Sequence, residues 1–447
     1  MYYDLALKNG TIVTPLKSFT GEDIAVRNGK IAFIGKLDNS DSADIIYDAE
    51  GKHILPGIID AHVHFRDPGL TSKEDFETGS MAAASGGITM IADMPNVIPP
   101  TSNTELFNGK IQIAQEKSYI DFALFALFGN NTSLTAEQEI TALKKAGVLG
   151  FKVFLGTSTG DIAPPLSGEL FKLMENSAEL DIRIGFHCEN SDINFFFTSI
   201  NKKINNKPKN YLLSQARPVI SEVLAIQTAI CYAKYTRAKI HIHHVTSSDG
   251  ALLIAEAKQK GINITSETCP HYLLLDSGEE KAHKVYPPIR DKSHREGLWN
   301  AILNGTIDML ASDHAPHLVS EKNLPVWKAP AGLSGVETFV SLFLNEVNKG
   351  ALTINDFVRL ASEAPAKTWG IYPNKGSLLP GTDADFTIVD MKKNKTIYAK
   401  DFYSKSKTSP FEGVEVQGIP AATIVRGVFI MKDGRLTGKK GYGKFIK

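Results

Sequence analysis

The sequence predicts an α/β fold: a closed (β/α)8 TIM barrel, with a small β-sandwich domain built from both ends of the chain. Three observations carry this. Between residues 57 and 317, eight apolar β-type runs alternate with helix-like stretches, the pattern of a parallel sheet covered by helices. Short strand-like runs punctuated by turn dipeptides occupy both termini. No GxGxxG follows the first long run, which argues against an open dinucleotide-binding sheet. The expected organisation is residues 1–53 and 371–447 as the two parts of the β domain, and 54–370 as the barrel. The 447 residues equal about three average domains, but an α/β barrel runs past about 250 residues as one unit.

Taken in order, residues 24–35, IAVRNGKIAFIG, set Asn28-Gly29 between two apolar runs, a strong hairpin signal, and Asn9-Gly10 reads as another turn. The barrel runs are GIIDAHVHF (57–65), ITMIADMPN (88–96), YIDFALFALFG (119–129) and GVLGFKVFLG (147–156). They continue as DIRIGFHCEN (181–190), AKIHIHHVTS (238–247), INITSETCPHYL (262–273) and TIDMLASDHAPH (306–317). Helix-like stretches lie between them, among them KEDFETGSMAAASG (73–86), AEQEITALKKAG (136–147) and SEVLAIQTAICYAKYT (221–236). Strand texture returns in ADFTIVD (384–390) and TIVRGVFIMKDGRL (423–436), with Asp433-Gly434 as a turn.

Composition excludes several function classes. Lys plus Arg and Asp plus Glu number 49 each, so the net charge is zero, unlike nucleic-acid binders and partners of anionic membrane. No run approaches the roughly 18 apolar residues of a membrane span, and MYYDLALKNG lacks the basic lead-in of a secretory signal. Three cysteines (Cys188, Cys231 and Cys269) do not make a disulfide framework and point to a reducing cytoplasm. The 12 histidines are unevenly spread, and they gather where the apolar runs end.

In a barrel, chemistry sits at the C-terminal ends of the strands. The first run ends in Asp60, His62 and His64, which a period of two puts on one face. Two such imidazoles are either ordinary strand histidines or a pair of metal ligands. Lys152 lies in an apolar run, where an ammonium must pair or snorkel, unless its amine has become a carbamate that bridges two cations. His187 reads as a core histidine or a ligand. His241 and His243 share one face of their run and His244 takes the other. His244 is nearest the C-terminal end, so it is the better placed, and His241 and His243 would then pack against helices. Asp313, His314 and His317 close the eighth run, with Asp313 as ligand, general base or helix cap. His62, His64, Lys152, His187, His244 and Asp313 converge only if the barrel closes. They could then hold two divalent ions about 3.5–4 Å apart, an arrangement that activates water. Zinc is the default for such a set, and manganese or cobalt can take the same ligands.

GIIDAHVHFRDPG (57–69), the lysine of FKVFLG, HCEN, HHVTS, SETCPHYL (266–273) and ASDHAPH resemble the ordered motifs of the amidohydrolase superfamily. More narrowly, the FRDPG continuation, DMPN (93–96), YPPIR (286–290), APAGLSGVET (329–338) and PGTDADFTIVD (380–390) are similar to the dihydroorotase family of pyrimidine biosynthesis. The resemblance spans almost the whole chain. It implies that His62 and His64 bind a first metal with Asp313, that His187 and His244 bind a second, and that carboxylated Lys152 bridges them. It also implies that Asp313 is the catalytic acid/base. Arg66 and Asn96 would grip the substrate's carboxylate with help from His317, and the backbone at Ala331–Gly332 would approach the substrate ring.

The implied reaction is the reversible cyclisation of N-carbamoyl-L-aspartate to L-dihydroorotate, with a small-molecule substrate, no nucleic-acid or membrane partner, and a homodimer or homotetramer as the compatible assembly. The alternatives are an allantoinase, dihydropyrimidinase or hydantoinase, or a non-catalytic assembly subunit. The chain departs from the family at Tyr286, where many members carry asparagine, and many members carry aspartate where it has Lys152. His53, His283 and His294 read as surface or loop residues, and His271 as a packing or supporting one. The stretches 157–165 and 318–331 are candidate covers for the site.

Overall fold

The computed structural model describes residues 1–38, 40–128, 137–156, 162–204, 207–279 and 283–447. Eight parallel strands lie side by side in chain order. They are β1 (Ile58–Val63), β2 (Ile88–Asp93), β3 (Asp121–Phe128), β4 (Gly150–Phe154), β5 (Ile184–His187), β6 (Ile240–Ile242), β7 (Ile264–Thr268) and β8 (Met309–Leu310). The barrel closes just beyond the ends of β1 and β8: Val63 bridges His314 in parallel register, and the His64 amide donates to the His314 carbonyl at 2.8 Å. Closure gives each strand an inner and an outer buried face, so the strands read as unbroken apolar runs; all eight residues of β3, DFALFALF, are buried.

Several covering helices begin where a side chain satisfies their free amides. Asp75 caps Phe76–Ser85 through the Thr78 amide at 2.8 Å, Asn103 caps Thr104–Lys117 through Leu106 at 2.9 Å, and Ser247 caps Ser248–Gln259 through Gly250 at 3.0 Å. Among the described residues no helix is long and apolar enough to cross a membrane.

Two further sheets come from the chain ends. Four N-terminal strands form one, in the order Lys30–Gly35, Asp23–Arg27, Tyr2–Lys8, Ser42–Asp48. The other has seven strands and mixes the termini: Phe386–Thr396 pairs with Glu415–Val425 on one side and with His53–Pro56 on the other. Leu5, Val26 and Ile31 of the first sheet share an apolar cluster with Ile12, Ile54, Phe386 and Ile424 of the second, so the two pack as a sandwich.

The turn dipeptides perform as their chemistry requires. Asn28-Gly29 and Asp433-Gly434 both adopt positive φ (52° and 72°, 48° and 76°) and close hairpins. Arg426-Gly427 does the same at 45° and 75°, a turn that the sequence does not advertise because arginine rarely takes this conformation. At Asn9-Gly10 the chain passes from one sheet to the other without forming a hairpin. Strand His53–Pro56 straddles the expected 53/54 division and belongs to the seven-stranded sheet. The last residues leave the β domain: Ile446 donates to Phe122 at 2.8 Å and Phe122 to Lys444 at 3.0 Å, tying the chain end to the start of β3.

A buried cation links barrel and sandwich. Lys375 Nζ lies 2.5 Å from Asp121 on β3, 2.7 Å from Asp385 and 2.9 Å from Asp383, and Arg426 also pairs with Asp121.

Candidate metal centre and active site

At the C-terminal mouth of the barrel, β1 delivers His62 and His64 to one side of a narrow cavity of about 30 Å³. Their Nε2 atoms stand 3.4 and 3.3 Å from Asp313 Oδ1. Across the cavity His187 Nδ1 lies 3.0 Å from His244 Nε2. The groups adjoin, because the His62 ring centroid is 5.3 Å from that of His64 and 5.4 Å from that of His244. Lys152 enters the same cavity from β4, and its buried Nζ has no hydrogen-bond partner among the described residues. Burial pulls its amine down to about 8. All six residues expected to surround the metals therefore line one cavity.

Three site residues sit in the left-handed region just after their strands: Arg66 at φ 62°, His244 at 39° and Asp313 at 46°. Non-glycine residues resist this conformation, and such strain concentrates at functional sites. The turn at His244 also corrects the expectation for its neighbours. Strict alternation would send His241 and His243 out to the helices if His244 faced in. Instead both point into the barrel, where His241 Nε2 and His243 Nδ1 reach Glu267 at 3.0 and 2.9 Å, and His244 rejoins the inner side because its backbone leaves the strand geometry.

Three of the four candidate imidazoles are fixed by a second hydrogen bond. His62 Nδ1 bonds Glu267, His64 Nδ1 bonds Asn96 Oδ1 at 2.7 Å, and His187 Nε2 bonds Glu189 Oε2 at 2.7 Å. Glu189 is in turn gripped by Arg217 at 2.7 and 2.5 Å. Burial opposes its charge, but Arg217 and His187 outweigh that and hold its carboxyl down at about 2. Sequence reasoning passed over Glu267, Glu189 and Arg217. Glu267 lies in the largely polar strand ITSET, Glu189 two residues beyond β5 and Arg217 just after a helix, so none carried a local signal. Burial lowers all four candidate imidazoles from the usual histidine range, keeping them neutral with a lone pair to offer.

On the substrate side, Arg66, Asn96, Ala331 and Gly332 line the cavity. Arg66 is 2% exposed, and among the described residues its Nε has no hydrogen-bond partner. His317 lies one layer back, with Nε2 on the Ala331 carbonyl at 3.0 Å and Nδ1 3.2 Å from Lys73 Nζ. Tyr286 also lines the cavity, and the Arg217 guanidinium sits 3.6 Å from its ring centroid. Asp60 does not reach the cavity; it accepts the Ser312 amide at 3.0 Å and so joins β1 to the end of β8. His283 is buried, contrary to its surface reading, and His294 is half-buried on Ser248 at 2.9 Å. Of the two candidate covering stretches, residues 157–161 lie outside the described residues, while 318–331 carries the short helix Val319–Lys322.

The donor set fits divalent cations. His62, His64 and Asp313 offer ligand atoms all within 4.8 Å of one another. Lys152 Nζ and the buried Nδ1 of His244, both without a hydrogen-bond partner among the described residues, are polar atoms that need a counterpart.

Comparison with known proteins agrees with this geometry. The model of the amidohydrolase family matches residues 53–430. A dihydroorotase of Methanothermobacter thermautotrophicus is 36% identical, with 99% of this chain and 97% of the relative covered. An L-hydantoinase of Paenarthrobacter aurescens is 35% identical, covering 99% of this chain and 98% of its own. Among solved structures, an L-hydantoinase (dihydropyrimidinase) from Arthrobacter aurescens superposes with a TM-score of 0.95 at 34% identity over 100% of both chains.

Proposed function

The chain belongs to the amidohydrolase family, and on that premise we propose that this metal-dependent cyclic amidohydrolase is a dihydroorotase, interconverting N-carbamoyl-L-aspartate and L-dihydroorotate. The observation that carries the choice is Arg66. A buried guanidinium that faces the reaction cavity, and whose Nε has no hydrogen-bond partner among the described residues, calls for an anionic ligand. Dihydroorotate carries a free carboxylate, and an unsubstituted hydantoin ring carries none.

In this reading His62, His64 and Asp313 would hold one divalent ion and His187 and His244 another, with Lys152, as its carbamate, as the shared ligand. The lowered Lys152 pKa favours the free amine, the form that adds carbon dioxide. Zinc is the expected metal. Bound ions supply an acidified water and a polarised carbonyl. Asp313 then takes the proton of the attacking water and returns it to the ring nitrogen as the cyclic amide C–N bond breaks. In the synthetic direction it removes a proton from the ureido nitrogen before ring closure. Arg66 and Asn96 hold the substrate carboxylate, with His317 supporting from behind Ala331. Asn96 also ties this grip to the metal centre, because its Oδ1 accepts from His64.

A hydantoinase activity is the second reading, favoured by the L-hydantoinase likeness. Arg66→Met separates the two. A charge-assisted hydrogen bond contributes about 1.5–3 kcal/mol, so kcat/KM for dihydroorotate should fall roughly 10- to 100-fold. Any residual hydantoin turnover should change little. An equal loss on both substrates would remove Arg66 from carboxylate recognition.

A further inference from the structure

The cavity wall opposite the metal ligands is irregular backbone, and its carbonyls reveal how it is held. Three consecutive carbonyls are each taken by a side chain from residues 317–322. Lys322 Nζ donates to Pro330 at 3.1 Å and to Gly332 at 2.8 Å, while the intervening Ala331 carbonyl meets His317 Nε2 at 3.0 Å. The third Lys322 bond, at 3.2 Å, goes to the carbonyl of Lys284, which directly precedes the cavity-lining Val285 and Tyr286. One ammonium thus spends its three protons on the two separate backbone segments that form this wall. The Gly332 amide adds a direct bond to the same Lys284 carbonyl at 3.0 Å.

Packing alone does not fix these segments. Hollows of about 330 and 350 Å³ flank Lys322 on its two sides. A hydrophobic side chain there would leave three carbonyls without their charged donor.

We propose that Lys322 is a positioning residue: its ammonium clamps segments 284–286 and 330–332 together and so sets the backbone that faces the substrate ring. It touches neither the metal ligands nor the cavity itself. The clamp rests on the reading of this cavity as the active site, not on which cyclic amide is turned over.

The test is steady-state kinetics of Lys322→Met on the metal-loaded enzyme, with metal content measured alongside. The substrate is whichever of dihydroorotate and hydantoin the unmodified enzyme prefers, so a wrong substrate assignment shows up separately in that enzyme. A displacement of about 1 Å in a substrate-facing wall can cost orders of magnitude, so KM should rise about tenfold or more. Metal content should be unchanged and kcat should stay within about threefold. A KM within about twofold of the unmodified enzyme overturns the proposal, as does a loss of kcat accompanied by loss of metal. If that variant does not fold, Lys322→Gln retains two donors and should give a smaller rise in KM; an unchanged KM there overturns the proposal equally.

Discussion

Asp313 is where geometry and chemistry meet most closely, lying 3.3–3.4 Å from two imidazoles and on the cavity that Arg66 and Lys152 also line. Asp313→Asn keeps the shape and removes the base, so turnover should drop by about two to four orders of magnitude while most bound metal is retained. Near-normal turnover in that variant would remove Asp313 from the proton path. At this scale much of the site was legible. His62 and His64 stood out because period-two spacing at the end of an apolar run puts both on one face, and Lys152 because an unpaired ammonium is costly in an apolar run. The grip of Arg217 on Glu189 and of Glu267 on His62 was not legible, since these contacts span 28 and 205 residues of chain that no local pattern encodes.

The strands follow directly from their apolar runs, and each of the eight stretches picked out by alternation contains one barrel strand. What alternation could not supply is the turn after the strand. Arg66, His244 and Asp313 aim inward because their backbones are left-handed, and for that reason parity misjudged His241 and His243. The inner position of His243 makes a demand on the neighbouring strand. A Cβ on Gly185 of β5 would stand 2.1 Å from Nε2 of His243, whose ring Glu267 holds in the barrel core through Nδ1. Gly185→Ala should therefore destabilise the fold by about 1–3 kcal/mol, the usual cost of overpacking, as read by chemical denaturation. A variant as stable as the parent would mean that the His243 ring has room to retreat.

At the scale of the molecule, the sandwich from both chain ends was legible in its hairpins, whereas the ionic knot that fastens it to the barrel was not. Burial alone would lower Lys375, but Asp385, Asp121 and Asp383 outweigh it and hold the ammonium above the usual lysine range. Its stabilisation is thus fully present below about pH 10.5 and lost as pH climbs through the raised value. Lys375→Met strands buried carboxylates and should cost about 3–5 kcal/mol at neutral pH, measurable as a lowered denaturation midpoint; an unchanged midpoint would make the knot dispensable. The central claim concerns the substrate, because family membership leaves dihydroorotase and hydantoinase chemistry side by side. The most direct measurement is kcat/KM for dihydroorotate, allantoin and hydantoin on one preparation of metal-loaded enzyme. A clear preference for dihydroorotate, with N-carbamoyl-L-aspartate cyclised in the reverse direction, is the predicted result; a preference for hydantoin or allantoin would contradict it while leaving the barrel and its candidate metal ligands as described.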